Sequence, residues 1–460
     1  MLFIVCLAFP ALWGQEITGD WNGILKVQGI QLRVVFHISQ TGDAYSATMD
    51  SPDQNAFGIP ATAASYGRPA LKLSISNLGV EYEGTLQEDG NIKGTFRQMG
   101  QSFPLDLQRA TVEKEKPSRP QEPSRPYPYA EEDVAFENRD ADIQLAGTLS
   151  LPRREGRFPA VVLISGSGAQ TRDEEVMGHK PFLIIADYLT RNGIAVLRFD
   201  DRGTAASTGN FATATTLDFS TDAEAAVRYL LTRPEIDHRK IGLIGHSEGG
   251  VIAPMVAVRC KDVAFIVLLA GLGIPGDELL LLQNEALSRA AGMGEEDLQT
   301  LSAFYRGLFD VILQAADVEE LQAGATTRIK ALVAEHPDVK PEGVSEETFI
   351  SAQVSQLVTP WVKYLLAYDP APTLEQVRCP VLAIGGDKDL QVPANVNLEA
   401  IHAALLRGGN HAVTVKELPG LNHLFQECTT GLPSEYATIE QTFSPVALNE
   451  ILSWLALQIP

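Results

Sequence analysis

Basic residues are scarce in this chain. Thirty-six lysines and arginines stand against 58 aspartates and glutamates, a net charge of −22, and the basic residues form no run. Such a balance repels nucleic acid and anionic membrane, so no nucleic-acid partner is expected and the acidity reads as solubility. Cysteine is rarer still: four in 460 residues, at positions 6, 260, 379 and 428. Their spacing suits no metal site, and they read as buried apolar filler, with a Cys379–Cys428 disulfide left open. No HExxH pair and no Walker-type loop occurs, so neither a metal nor a phosphate mechanism is indicated and no cofactor is expected. "GSGAQT" begins like a dinucleotide loop, but Thr171 stands where the third glycine belongs. Long apolar runs are missing too, since none reaches the ~20 residues that span a bilayer. The short run Met1–Trp13, "MLFIVCLAFPALW", has the length of a secretory signal's hydrophobic part but lacks a positive leader. Residues 1–15 are therefore expected to be a signal peptide of an exported, periplasmic or secreted protein. The alternative is a first strand.

What is present falls into segments. Residues 16–110 alternate with period two: Ile30, Leu32, Val34, Phe36 and Ile38 share one face, and "EDGN" at Glu88–Asn91 is a hairpin signal. This predicts a small all-β barrel or sandwich. Five prolines among charges and serines in Glu113–Ala130 predict a linker over 111–130. From 131 to 460, near-continuous apolar strands alternate with helical patterns, which predicts an α/β domain with a mostly parallel sheet. Between about 275 and 370 the strands stop and helical periodicity takes over, as in an inserted cap.

Gly245-His246-Ser247-Glu248-Gly249 ends a strand and opens a helix. That setting fits a nucleophile elbow, a tight turn that lifts a serine hydroxyl above the sheet. A serine needs a base, and the base needs an orienting acid. On such a sheet they should follow the serine in the order acid, then histidine. "GGDKDLQVP" offers Asp387 and Asp389, of which Asp389 is preferred because it lies further into its loop. His423, in "PGLNHLF" past the next strand, is the expected base; His402 and His411 lie within a helical pattern and at a strand start. Oxyanion donors are expected from the Glu248 N–H and the Ser167 N–H, with Gly168 as its neighbouring possibility. In "FDDRG", Arg202 is expected to pair with an acid and brace the loops around the elbow, and the charges in "TRDEE" to do similar bracing. Trp361, Tyr364 and Tyr368, three and four apart, read as a packing stripe or, functionally, as an aromatic wall of an acyl pocket that would also involve Gly168.

These motifs, in the order "LISGSGAQTRDE", "RFDDRGTAASTGNF", "GLIGHSEGG", "PWVKYLLAYDP", "GGDKDLQVP" and "PGLNHLF", resemble the α/β-hydrolase superfamily. The resemblance is nearest to secreted bacterial esterases and serine-aminopeptidase-like hydrolases that carry an N-terminal β domain. It implies a carboxylesterase acting on short to medium acyl esters through Ser247, Asp389 and His423, with a small-molecule ester as substrate. In that family the second acid of "GDKD" joins the triad, which supports Asp389. One departure is Ala205-Ala206, where relatives often have a glycine. A serine peptidase with the same triad, an acyltransferase and a non-catalytic binding protein are the rival readings.

Overall fold

The computed structural model describes residues 17–27, 30–42, 44–54, 56–98, 101–109, 118–340 and 344–459. The expected signal peptide and residues 111–117 of the expected linker lie outside them. The chain divides into two compact units. One comprises the described residues of the first 116 with Pro337–Phe349, and the other comprises Pro117–His336 with Ile350–Pro460.

The first unit is antiparallel throughout its sheets. Strands β1 (Gly19–Val27), β2 (Ile30–Thr41), β3 (Ala44–Ser51) and β4 (Ala56–Pro60) form one sheet in sequence order. Strands β5 (Ala63–Gly67), β6 (Ala70–Ile75), β7 (Val80–Leu86), β8 (Ile92–Gln98) and β9 (Gln101–Pro104) form a second. Each strand turns alternate side chains inward, so Val34, Phe36 and Ile38 of β2 are buried beside Trp21, Tyr82 and Phe96. The expected hairpin joins β7 to β8, with Gly90 at φ +86° supplying the left-handed turn residue. Past β9, Leu107 and Gln108 bridge to Ile92 and Asn22 and so link the two sheets.

The second unit has an eight-stranded sheet. Its strands are β10 (Ala130–Asn138), β11 (Ile143–Leu151), β12 (Phe158–Ile164), β13 (Ala195–Phe199), β14 (Ile236–His246), β15 (Val263–Leu269), β16 (Val381–Gly386) and β17 (Val413–Leu418). The order is β10-β11-β13-β12-β14-β15-β16-β17; only the pairings of β11 with β10 and β13 are antiparallel. Helix α1 (Pro181–Arg191) packs its Phe182, Ile185 and Leu189 on one face of the sheet. On the other lie α2 (Thr216–Leu230) and α3 (Gly249–Arg259), through Ala223, Val227, Ile252 and Val256. Buried on both faces, β12, β13 and β15 need no polar alternation, which is why their sequences read as continuous apolar runs. This is the α/β-hydrolase fold, and the β unit before it forms a domain of its own.

Between β15 and β16 come α4 (Gly276–Ala290), α5 (Glu295–Gln314), α6 (Val318–Glu335), α7 (Glu346–Leu357), α8 (Pro360–Ala367) and the short α9 (Ala371–Leu374). Helices α10 (Ala394–Arg407) and α11 (Pro445–Gln458) complete the unit. The described half of the expected linker is fastened to this unit. Arg119 donates to the carbonyls of Met177, Gly178 and Ile439, and the Gln121 amide donates to Phe443 O. Proline and charge predict an extended segment; the two polar side chains dock it. Cys260, Cys379 and Cys428 are free thiols, so the open Cys379–Cys428 disulfide does not form.

Candidate active site

The loops after β12, β14, β16 and β17 all leave the sheet at its carboxyl edge, where open α/β sheets bind ligands. The loop after β14 is the sharpest. Ser247 has φ +53°, a left-handed conformation that L-residues rarely adopt. Close approach explains its glycines. A Cβ on Gly245 would sit 1.9 Å from the Gly249 carbonyl oxygen, and one on Gly249 2.1 Å from that of Ile164. The Ser247 N–H donates to Leu269 O at 2.8 Å, tying the turn to β15. Helix α3 then starts at Gly249, so the positive end of its dipole lies beneath the serine.

His423 follows β17 in a tight loop, where the Asn422 N–H donates to Gln426 O and Phe425 has φ +59°. His423 Nδ1 lies 2.8 Å from Asp389 Oδ2. The other oxygen, Asp389 Oδ1, accepts the N–H groups of Gln391 and Val392, both at 2.8 Å. The pair is buried, with 6% of His423 and 4% of Asp389 exposed. Asp387 turns elsewhere and accepts the Gly420 N–H at 2.6 Å. Ser247 and His423 line one cavity of about 400 Å³. Among the described residues no hydrogen bond yet joins them.

Leu272, Leu279, Leu280, Leu365, Val176 and Met177 give this cavity an apolar wall, with Gln170, Gln283 and Gln391 as polar points. Ser167 and Glu248 line it beside Ser247, and among the described residues neither backbone N–H has a protein acceptor. Trp361 lines it as well. Its indole N–H donates to Glu248 Oε1 at 2.8 Å, and the Thr216 hydroxyl donates to the same oxygen at 2.6 Å. Burial pushes the Glu248 carboxyl up from its ordinary range, against the pull of these donors.

The aromatic wall needs correction. Tyr364 and Tyr368 do not line the cavity; they stack on each other, with ring centroids 5.9 Å apart, and pack against the buried cluster that contains Leu279 and Leu365. Helix α8 ends before Tyr368, whose hydroxyl meets Thr373 Oγ1 at 2.9 Å. Equal helical spacing therefore does not put the three rings on one wall. Gly168, at φ +100°, faces a separate small pocket with Ser165, Asp201 and Phe211. Arg202 pairs with the buried Asp222, Nε to Oδ2 at 2.7 Å, and its neighbour Asp200 takes Arg172.

Sequence reasoning missed a second buried acid–histidine pair. His246 Nδ1 lies 2.9 Å from Glu174 Oε1, and His246 Nε2 lies 2.9 Å from the His423 carbonyl oxygen. With two acceptors as partners, His246 meets both as a donor only when protonated. Burial opposes that charge, but the Glu174 carboxylate, the His423 carbonyl and Asp389 together outweigh it and raise the His246 pKa. A charged residue on each side of an elbow serine, inside an otherwise apolar stretch, was the available signal.

Residues 161–431 match the alpha/beta hydrolase family, and the chain belongs to it. It is 31% identical over 169 residues to the esterase EstD of Thermotoga maritima, covering 36% of this chain and 40% of that protein. It is 25% identical over 171 residues to human acyl-coenzyme A thioesterase 1, covering 37% of each. The chain thus spans well under half the length of these curated relatives. Among solved structures, it resembles the alpha/beta hydrolase GrgF from a Penicillium species at 18% identity and a TM-score of 0.45, covering 72% of this chain and 99% of that one.

Proposed function

We propose that the protein is a serine hydrolase that cleaves carboxylic esters of short to medium acyl chains through an acyl-enzyme. The observation that carries this reading is the shared cavity: Ser247, on its left-handed elbow, and the buried His423–Asp389 pair line the same apolar space. In this reading His423 Nε2 takes the proton from Ser247 Oγ as the oxygen bonds to the ester carbonyl carbon. The Glu248 and Ser167 N–H groups receive the resulting oxyanion. His423 then gives the proton to the leaving alcohol, the carbon–oxygen bond breaks, and water repeats the cycle to release the acid. Asp389 holds the Nδ1–H tautomer and balances the imidazolium. The contact between Ser247 and His423 tightens on the bound ester, as catalytic contacts often do. The leucines and Trp361 give the acyl chain an apolar berth.

The esterase name of one relative, although that protein is matched over less than half its length, points the same way. The thioesterase name of the other favours acyl thioesters as a second substrate class, since the same acyl-enzyme forms from either. A p-nitrophenyl ester series from acetate to decanoate, run beside an acyl thioester and an aminoacyl amide, tests the reading. Turnover should be highest on the short and medium esters, and a fluorophosphonate should label Ser247. Folded protein that turns over none of the esters and takes no label would end the proposal.

A further inference from the structure

Four loops must hold their relative positions for the proposed chemistry, and one buried carboxylate touches two of them and reaches a third. Glu174 Oε1 accepts the Gly166 N–H at 2.6 Å, one residue before the Ser167 donor. The same oxygen meets His246, one residue before the nucleophile, and His246 in turn meets the backbone of His423. Gly166 is pressed between the two sides: a Cβ there would stand 3.2 Å from both Glu174 Oε1 and the Ser247 Cβ. Glu174 is held for the task at φ +51°, its N–H closing a turn onto Thr171 O at 2.8 Å. Glu174 and His246 are buried, and the His246 and His423 rings lie 4.8 Å apart.

Resting on the esterase reading, we infer that Glu174 and His246 form a positioning pair that holds the oxyanion loop and the base loop in register with Ser247. His246 itself is unsuited to be the base, because both ring nitrogens are engaged by the protein. The links on Glu174 are charge-assisted and shielded from water, where such bonds are short and directional. Loss of the pair should let the Ser167 donor and His423 drift while leaving the acyl pocket intact. A displacement of about 1 Å in such a site costs up to ~10²-fold in rate. The cost should therefore fall on kcat rather than on KM.

The test cuts the relay at two different links. Glu174→Gln keeps the shape and loses the charge; His246→Gln keeps a donor within reach of the His423 carbonyl and loses the imidazole that pairs with Glu174. Turnover of p-nitrophenyl butyrate is normalised to sites counted by exhaustive fluorophosphonate labelling. Each variant should lose ~10–100-fold in kcat with KM within about twofold, and all sites should still label, only slowly. The double variant should be no worse than the weaker single one, because the two residues act through one relay. If one variant does not fold, the other carries the kcat and KM test alone. The inference is overturned if kcat per labelled site stays within about twofold of wild type, if the loss lies in KM, or if the two losses simply multiply. Wild-type protein that neither labels nor turns over would remove the esterase reading and this inference with it. Wild-type activity with indifferent variants removes this inference alone.

Discussion

The two units bury polar groups in opposite ways. In the β unit, Ser51 is the one described residue of polar or charged type that is fully buried. Its two fully buried large aromatics with polar tips donate to backbone carbonyls, Trp21 to Ile17 O at 2.7 Å and Tyr82 to Leu105 O at 3.1 Å, while the Tyr66 hydroxyl is buried without a partner among the described residues. Its acid–histidine cluster, His37 between Asp20 and Asp50, lies near the surface with the imidazole 38% exposed. The hydrolase unit buries the Arg202–Asp222 pair, Arg198 and His179, and it gathers six further ionisable groups, Glu174, Asp200, His246, Glu248, Asp389 and His423, on the loops and strand ends at one edge of its sheet. A buried charge destabilises a fold unless it is paired, and even paired it often adds little. Such a concentration therefore locates chemistry, and the β unit has no counterpart among its described residues.

The largest effect should come from Ser247→Ala. Turnover of p-nitrophenyl butyrate should fall ~10⁶-fold with the circular dichroism spectrum unchanged. Activity persisting in that variant would break the link between buried polarity and chemistry. Next, Asp389→Asn should lower kcat ~10⁴-fold, because the histidine loses the acceptor that fixes its tautomer. Asp387→Asn, which disturbs only the bond from the Gly420 N–H, should stay within a few-fold of wild type. Equal losses in these two variants would show that the loop acts as a whole and that its acids are not distinguished by their partners.

Much of this site was legible because the chemistry dictates residue order along the chain. A serine between close-approach glycines, a later acid and a still later histidine, each after an apolar strand, specify loops on one sheet edge before any coordinate is known. The β unit was legible through its period-two faces. What the sequence could not carry was the direction of side chains within a helix or loop. Trp361, Tyr364 and Tyr368 share a spacing, yet only Trp361 reaches the cavity, because Glu248 captures its indole N–H while the tyrosines stack on each other. Glu174 and His246 lie 72 residues apart, and their pairing depends on a turn after β12 that no local pattern announces. The docking of Arg119 onto carbonyls of Met177 and Ile439 is similarly non-local.

The comparison sharpens further if damage to the β unit moves stability alone. Tyr82→Ala should cost ~3–5 kcal/mol in that unit through the cavity it leaves. Tyr82→Phe should cost about 1 kcal/mol, the worth of one buried hydrogen bond. Urea unfolding followed by tryptophan fluorescence measures both, and kcat measured in the absence of urea should not change. A fall in kcat that tracks the loss of stability would show that the β unit contributes to the chemistry after all.

The last effect concerns pH, and its sign separates a half-buried from a buried group of the hydrolase unit. Burial raises the Asp201 carboxyl to about 7, helped by Glu174 and Glu248 and opposed by the bonds from Gln170 N and Ser165 Oγ. Between its ordinary 3.8 and about 7, the folded protein keeps a proton that the unfolded chain has lost, so this group's contribution to stability shrinks as pH rises. His179 runs the other way. Burial lowers it to about 4 from 6.5, so in that window the unfolded chain binds the extra proton and stability grows with pH. Asp201→Asn preserves an acceptor for the Gln170 N–H and reverses the Ser165 bond, its amide donating to Ser165 Oγ, while deleting the first titration. The Tm of this variant minus that of wild type should therefore climb as pH rises from about 4 to about 7 and level off above. A difference that stays flat across that range, or falls, would mean that Asp201 is ionised in the fold and that the buried edge holds one more negative charge than its partners balance.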